Sequence, residues 1–326
     1  MTEYRWTPLS VEQTRAWSEL CNHLAVVDGT EEFFSPEDLA EELAAPHHDP
    51  STDSWAVWHG EQMVGYGSTS VPPTPDHEGL ARARLGGGVH ADHRGRGLGS
   101  RLVDAAEARA MELLGQRHPG RTAYLRAGGG RDGSSARELL TDRGYTVERY
   151  WNLLTRSLGE VPTVPAIEGA RLVTPAEEDE EAVREAHNLA FRDHYGSGPA
   201  SPEGWHDGWI SRAGRKDVST IAVADGTGAC GWREGEVLAY VMVGQWVDRE
   251  AYVTIVGTVP HARGRGLAAA ALARTLGLTT RSGRYDVIEL DVDSESPTGA
   301  TRLYERLGFT LKHQTASMRR DVGTVA

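Results

Sequence analysis

Two copies of one short stretch, Arg94-Gly95-Arg96-Gly97-Leu98-Gly99 and Arg263-Gly264-Arg265-Gly266-Leu267-Ala268, constrain this chain more than any other feature. Each follows a β-like run: Arg84-Leu85-Gly86-Gly87-Gly88-Val89 for the first, Ala251-Tyr252-Val253-Thr254-Ile255-Val256-Gly257 for the second. Each also opens a helical run, beginning at Ser100 and at Ala269. A glycine-rich turn from strand to helix leaves several backbone N–H groups unpaired and pointing one way. Gly95, Gly97, Gly264 and Gly266 would let a ligand approach the main chain with no Cβ in between. With the helix dipole and the flanking arginines, such a turn favours an anion, most simply a phosphate or pyrophosphate. A Walker A loop would end in Gly-Lys-Ser or Gly-Lys-Thr, which neither copy has. A dinucleotide-binding fingerprint needs a different glycine spacing. The remaining alternative is a pair of purely structural turns, although a turn needs one glycine and no paired arginines.

The two stretches are 169 residues apart (263 − 94). A second pair of landmarks, Arg143-Gly144-Tyr145 and Leu307-Gly308-Phe309, repeats at 164 (308 − 144). Two landmarks in one order at nearly one interval predict a duplicated domain. A length of 326 residues suits two domains, each able to bury its own core. The stretch Ser157–Pro165 has two prolines and little periodicity and reads as a linker. We therefore expect an N-terminal domain over 1–157, a linker over 158–167 and a C-terminal domain over 168–326.

Within the first copy, helices are predicted over Val11–Leu24, Pro36–Ala44 and Ser134–Thr141, and strands over Ala123–Ala127 and Thr146–Leu153. A hairpin is predicted around His59-Gly60-Glu61. The second copy repeats the order, with helices over Glu180–Phe191, Pro202–Ile210 and Gly299–Leu307. Its strands are expected over Arg171–Val173, Ser219–Ala224, Val237–Gly244, Asp286–Val292 and Thr310–Met318. The fold class is α+β, each copy a mostly antiparallel mixed sheet flanked by helices.

Composition narrows the function. A formal net charge of −13 disfavours a general nucleic-acid binder. Cys21 and Cys230 are too few for a disulfide scaffold or a thiolate cluster. His47-His48-Asp49 are adjacent groups in a Pro-rich loop and read as exposed, so no metal site is expected. The N-terminus lacks the apolar core of a signal peptide, and no run approaches a membrane span. The expected location is the cytoplasm, with no membrane partner.

The downstream partner of the second turn carries a resemblance. Val259-Pro260, then Arg263-Gly264-Arg265-Gly266, a helix, a strand, and Ala300-Thr301-Arg302-Leu303-Tyr304-Glu305-Arg306-Leu307-Gly308-Phe309 resemble the GNAT acetyltransferase superfamily. The set is complete in the C-terminal copy and weaker in the N-terminal one, and together the copies cover nearly the whole chain. The tandem layout resembles the double-GNAT proteins of actinobacteria, of the mycothiol synthase kind. The resemblance implies two GNAT-like domains and an acetyl-CoA-dependent N-acetyltransferase.

It also implies roles residue by residue. The backbone of Arg263, Gly264, Arg265, Gly266, Leu267 and Ala268 would hold the pyrophosphate of acetyl-CoA, as would Arg94, Gly95, Arg96, Gly97, Leu98 and Gly99 in the first copy. Ala268 departs from the family's last glycine, and Pro297 stands where many members keep an Asn seven residues before the tyrosine. Ile255, Val256, Gly257 and Thr258 would bond the pantetheine arm and polarise the thioester. Tyr304 would be the general acid toward the leaving thiolate, which needs a proton or hydrogen bond as it departs. A tyrosine merely packed between helix and sheet is the alternative. Aligning Gly144-Tyr145 with Gly308-Phe309 puts Leu140 opposite Tyr304, and a leucine donates no proton. The N-terminal copy is therefore expected to be catalytically impaired, binding acyl-CoA or serving structurally.

An amine acceptor must lose a proton before attack. Glu250 is the candidate base and Asp248 a second, while Tyr252 and Thr254 share a strand face and could orient a water. His194 and Tyr195, within Asp193-His194-Tyr195-Gly196, fall where this superfamily builds its acceptor pocket. Trp205 and Trp209 share a helical face and read as core or pocket wall. The expected acceptor is a small-molecule primary amine, with a protein amine second, and the protein itself is expected to be a monomer or homodimer. A non-catalytic acyl-CoA-binding sensor is the rival reading.

Overall fold

The structure, a computed structural model, describes residues 3–192, 194–226, 231–296 and 299–325. Asp193, Cys230 and Pro297 lie outside the described residues. The chain divides into two compact units, Met1–Trp151 together with His313–Ala326, and Asn152–Lys312.

In chain order the first elements are β1 (Arg5–Thr7), α1 (Thr14–Val27), α2 (Pro36–Leu43), α3 (Pro50–Asp53), β2 (Ser54–His59) and β3 (Gln62–Ser70). There follow β4 (Ala81–Val89), α4 (Leu98–Arg117), β5 (Thr122–Gly130), α5 (Ser135–Asp142) and β6 (Thr146–Ser157). Then come β7 (Ala170–Val173), α6 (Glu180–Ala190), α7 (Pro202–Ile210), β8 (Thr220–Ala224) and β9 (Val237–Gly244). The chain continues through β10 (Glu250–Thr258), α8 (Leu267–Ser282), β11 (Val287–Asp293), α9 (Ala300–Arg306) and β12 (Thr310–Thr324).

Each unit has the mixed sheet expected. In the first, β1 to β4 pair antiparallel in sequence order and β4 pairs parallel with β5. In the second, β7 to β10 pair antiparallel in order and β10 pairs parallel with β11. Two boundaries differ from the expected 1–157, linker 158–167 and 168–326: the second unit begins at Asn152, within β6, and ends at Lys312. Residues Ala316–Thr324 of β12 run antiparallel to Gly130–Thr122 of β5, so His313 onward belongs to the first unit. Strand alternation says which face a residue takes, but it does not name the partner strand.

The helix starts differ in how they are capped. α2 carries a capping box, in which Ser35 accepts the Asp38 N–H and the Asp38 side chain takes the Ser35 N–H, with Pro36 in the first turn. Ser134 and Ser201 cap α5 and α7 through their side chains. The helices that follow the Arg-Gly-Arg-Gly turns, α4 and α8, begin instead on Gly97 and Gly266, which have no side chain to offer. α8 is rich in Ala and Leu and buries Leu267, Leu272 and Leu276 completely or nearly so. Each such leucine contributes about 1.5–3 kcal/mol.

Two hydrophobic clusters form the core of the second unit. One cluster contains Val253, Leu272, Leu290, Val292, Tyr304 and Phe309. The other contains Val183, Ala186, Trp209, Leu238 and Tyr240, with Trp205 packed against it. Both tryptophans thus stand in core positions, as their helical spacing suggested.

Candidate active site

In the second unit, β10 ends at Thr258 and a short 3-10 turn, Pro260–Ala262, leads to Arg263 in an extended conformation. Gly264 and Gly266 then take φ of 76° and 78°, in the left-handed region that favours glycine. A Cβ placed on either would meet no heavy atom within 4 Å, so the turn opens onto space. The Ala270 N–H donates to the Gly266 carbonyl at 3.0 Å. The N–H groups of Leu267, Ala268 and Ala269 precede that bond and lie at the positive end of the helix. The set fits an anion with several oxygens, as a pyrophosphate has. Ala268 is already helical, so that position has no need of a glycine.

The first arginine of each turn has a different use for its side chain. Arg263 donates from Nε to the Thr258 carbonyl (3.3 Å) and from a terminal nitrogen to the Ala190 carbonyl at the end of α6 (2.7 Å). Arg94 donates to the Val89 carbonyl (3.0 Å) and forks onto the Asp28 carboxylate at 2.8 and 2.7 Å. Both arginines tie the turn to the strand before it and to the first helix of the unit. Their side chains brace the turn, and its glycines face open space. The second arginines differ. Arg265 lies 5.2 Å over the Trp232 ring, whereas Arg96 donates to the Tyr4 hydroxyl (3.3 Å) and the Asp92 carbonyl (3.1 Å).

The strand leading to the cradle is irregular where a thioester would lie. Its register against β9 shifts between Val253 and Ile255, a bulge centred on Thr254. Its pairing with β11 runs from Glu250–Val287 to Tyr252–Glu289, although β10 continues to Thr258 and β11 to Asp293. Among the described residues the two parallel strands therefore part after Tyr252. Ile255–Thr258 keep an edge toward that opening, where backbone groups can pair with an extended ligand arm. A Cβ on Gly257 would collide with the end of the Tyr240 ring, so a larger residue here would displace that side chain.

Tyr304 reaches the same region from α9. It is buried with Val253, Leu290 and Val292, and its ring meets Phe309 edge-on at 6.0 Å. Burial pushes its phenol up to about 12, further above neutrality than its ordinary value. Among the described residues its hydroxyl makes no hydrogen bond. In the first unit the same helix end recurs with a leucine. Tyr145 N–H donates to the Leu140 carbonyl (3.0 Å) and Gly144 to Thr141 (2.9 Å). Phe309 donates to Tyr304 (3.1 Å) and Gly308 to Glu305 (3.0 Å) in the same pattern.

The first unit keeps the cradle. Gly95 and Gly97 have φ of 71° and 78° and open space at the Cβ position. A cavity of about 590 Å³ runs from that turn along Gly86–Gly88 of β4 and past Gly128 of β5 to Leu140. That volume lies in the range of small-molecule sites. It belongs to the unit whose matching helix end carries Leu140 in place of a phenol.

On the side of α6, His194 and Tyr195 follow the helix end that Arg263 holds. The His194 Nδ1 lies 3.2 Å from the Ser197 hydroxyl, and its ring lies 5.0 Å from Phe191. Glu250 opens β10 opposite Val287, and Tyr252 donates to Asp291 Oδ2 at 2.7 Å. Two residues here went unremarked in the sequence. His187 is stacked with Phe191 (4.7 Å), near Trp205 (4.9 Å), and its Nδ1 lies 2.9 Å from the Tyr240 hydroxyl. Its place on the stripe Val183, Ala186, Ala190 is a usable signal, a polar residue beside an apolar helix face. Asp291 is the other, one of the acids alternating with Ile288, Leu290 and Val292 in β11. No helix among the described residues is long and apolar enough to cross a membrane.

The acetyltransferase (GNAT) family matches the chain twice, over residues 13–118 and 181–309, together well over half of it. The mycothiol acetyltransferase of Thermobispora bispora is 31% identical over 260 residues, covering 78% of this chain and 79% of that protein. That of Brachybacterium faecium is 29% identical over 277 residues, covering 79% and 71%. A GCN5-related N-acetyltransferase from Sphaerobacter thermophilus superposes with a TM-score of 0.75 at 22% identity, over 99% of this chain and 97% of that one. A tandem GNAT protein from the clavulanic acid biosynthesis pathway gives 0.68 at 19% identity, over 98% of each. The chain belongs to the GNAT acetyltransferase family, as an N-acetyltransferase built from two GNAT units in tandem.

Proposed function

We propose that the second unit moves the acetyl group of acetyl-CoA to the primary amine of a small molecule by direct attack. The observation that carries this reading is the paired contrast between Tyr304 and Leu140: two cradles, two matching helix ends, and a phenol at only one of them. Acetyl-CoA would supply an activated acetyl group. The chain would bind its pyrophosphate through the backbone of 263–268, align its pantetheine along Ile255–Thr258, and offer the Tyr304 hydroxyl to the departing sulfur. A tyrosine phenol is neutral near pH 7, so it can donate. The acceptor would enter on the side of His194, Tyr195 and Tyr252, where Glu250 also faces. Relatives named mycothiol acetyltransferases support a small-molecule acceptor.

The first unit is assigned acyl-CoA binding without chemistry. Its cradle and its cavity of about 590 Å³ favour a bound ligand, and Leu140 removes the acid.

Replacing Tyr304 by Phe tests the central claim. We expect kcat to fall by roughly 10²–10⁴, with acetyl-CoA affinity and melting temperature nearly unchanged, because no hydrogen bond to the protein is lost. An unchanged kcat, or a variant that no longer binds acetyl-CoA, would refute the role. If the wild type binds acetyl-CoA yet acetylates no member of an amine panel, the sensor reading replaces it.

A further inference from the structure

The reaction needs a proton acceptor on the amine's side, and the structure supplies a group that neither the strand order nor the family comparison points to. Tyr252 on β10 and Asp291 on β11 meet across the gap between the strands, the phenol donating to Asp291 Oδ2 at 2.7 Å. This contact lies at the point of divergence. Tyr252 opposite Glu289 is the last pair of the parallel register, and Asp291 is the next residue of β11 on the same face. The ring of Trp246 stands edge-on to Tyr252 at 5.9 Å and limits its swing.

Alternation along the strands decides which face each group serves. Ala251, Val253, Leu290 and Val292 point into the cluster that holds Tyr304. Tyr252, Glu289 and Asp291 therefore point to the opposite face. A thioester lying in the gap would have the Tyr304 phenol on one side and the Tyr252–Asp291 pair on the other. The amine adds to the carbonyl carbon and the thiolate leaves as the tetrahedral adduct collapses, so a base on one side of the thioester and an acid on the other can each serve its own step.

The other acids of this face have different engagements. Glu289 is buried and ion-paired with Lys312 at 2.9 Å. Asp293 is buried and accepts the Glu295 N–H at 2.9 Å. Glu250 sits opposite Val287 inside the paired region, two residues before the strands part. Asp291 is solvent-exposed, and a short O–H···O⁻ bond holds one of its oxygens in place.

We propose that Asp291 takes the proton from the acceptor's ammonium group, and that Tyr252 is the positioning residue that aims it. This rests on the acetyltransferase reading above. The ammonium N–H bond breaks and its proton goes to Asp291 Oδ1. The electron pair left on nitrogen forms the bond to the acetyl carbon while the carbonyl π pair moves onto oxygen, and as that pair returns the carbon–sulfur bond breaks. The sulfur takes the Tyr304 hydroxyl proton. The second nitrogen proton and the one on Asp291 pass to solvent, from which Tyr304 recovers its own, so one proton is released per turnover.

The test is turnover of acetyl-CoA by Asp291→Asn, Asp291→Glu, Tyr252→Phe and Glu250→Gln, followed as CoA thiol release with glucosamine as the amine and again with water alone. Asp291→Asn is expected to lose at least about a hundredfold in kcat, with unchanged acetyl-CoA affinity and melting temperature, and Asp291→Glu to regain part of it. Tyr252→Phe is expected to lower kcat by about tenfold while leaving KM for acetyl-CoA in place, a split that a merely structural role would not give. Asp291→Asn turning over like the wild type, or Glu250→Gln suffering the larger loss, overturns the assignment and leaves the acetyltransferase reading standing. A wild type that binds acetyl-CoA but releases thiol in neither assay overturns both.

Discussion

Gly266 offers the sharpest test of the cradle. Its φ of 78° lies in the left-handed region, and a Cβ there would meet no heavy atom within 4 Å. An alanine costs about 1–2 kcal/mol for the backbone conformation, offset by about 0.4–1 kcal/mol from its stiffer unfolded chain. The net loss is about 1 kcal/mol, a drop of about 2–4 °C in Tm for a unit of this size. The ligand fares worse, because the new methyl stands where phosphate oxygens must come to reach the N–H groups of Leu267 and Ala268. Losing one charge-assisted hydrogen bond costs about 1.5–3 kcal/mol, so acetyl-CoA should bind the second unit roughly ten- to a hundredfold more weakly. Gly97→Ala should show the same small melting cost at the first unit's turn, since Gly97 shares the φ of 78° and the open space. Calorimetric titration with acetyl-CoA, paired with scanning calorimetry, separates the two effects. Undiminished binding by Gly266→Ala would refute the cradle. A melting loss several times larger would show that the turn is packed and not open.

Two further predictions concern buried ionisable groups. Burial, with His194 adding repulsion, depresses the His187 imidazole to about 4 from its ordinary 6.5. Below the ordinary value the unfolded chain takes up a proton that the folded one refuses, so stability should fall as pH drops from 6.5 toward 4. At about 1.36 kcal/mol per pKa unit the full effect approaches about 3 kcal/mol; melts at pH 7 and 4.5 should diverge for the wild type and much less for His187→Gln. In the first unit, burial would raise the Asp53 carboxyl, but the Asp49 N–H and the Arg109 guanidinium (2.8 Å) outweigh it and hold the group low. Its contribution is present above the ordinary carboxylate range and lost as pH falls through the folded value, and Asp53→Ala should cost about 3 kcal/mol at pH 7 by urea unfolding. A variant as stable as the wild type would show the pair to be inert.

Much of the site was legible because it is local. A glycine with positive φ immediately before a helix is a statement about neighbouring residues, and both cradles follow from it. The duplication is also a property of the string, as is the placement of Leu140 against Tyr304 four residues before each glycine. The bulge at Thr254 left no such mark, nor did β1, three residues long and defined only by its pairing with β2. Arg94 and Arg263 looked like charges offered to an anion, yet the elements they brace are visible only once α1 and α6 are in place.

By itself, then, the sequence determined the two tandem units, the α+β class, the two glycine turns that open α4 and α8, and the helix α9 that bears a phenol. Each of these is encoded within a few residues or by repetition. The tertiary structure alone decided that β12 returns to the first unit, that β10 and β11 part after Tyr252, and that Asp291 stands at the hydroxyl of a tyrosine far from it in sequence. Those depend on which strands become neighbours. Alternating residues state a face without naming a partner, and proton transfer needs the partner.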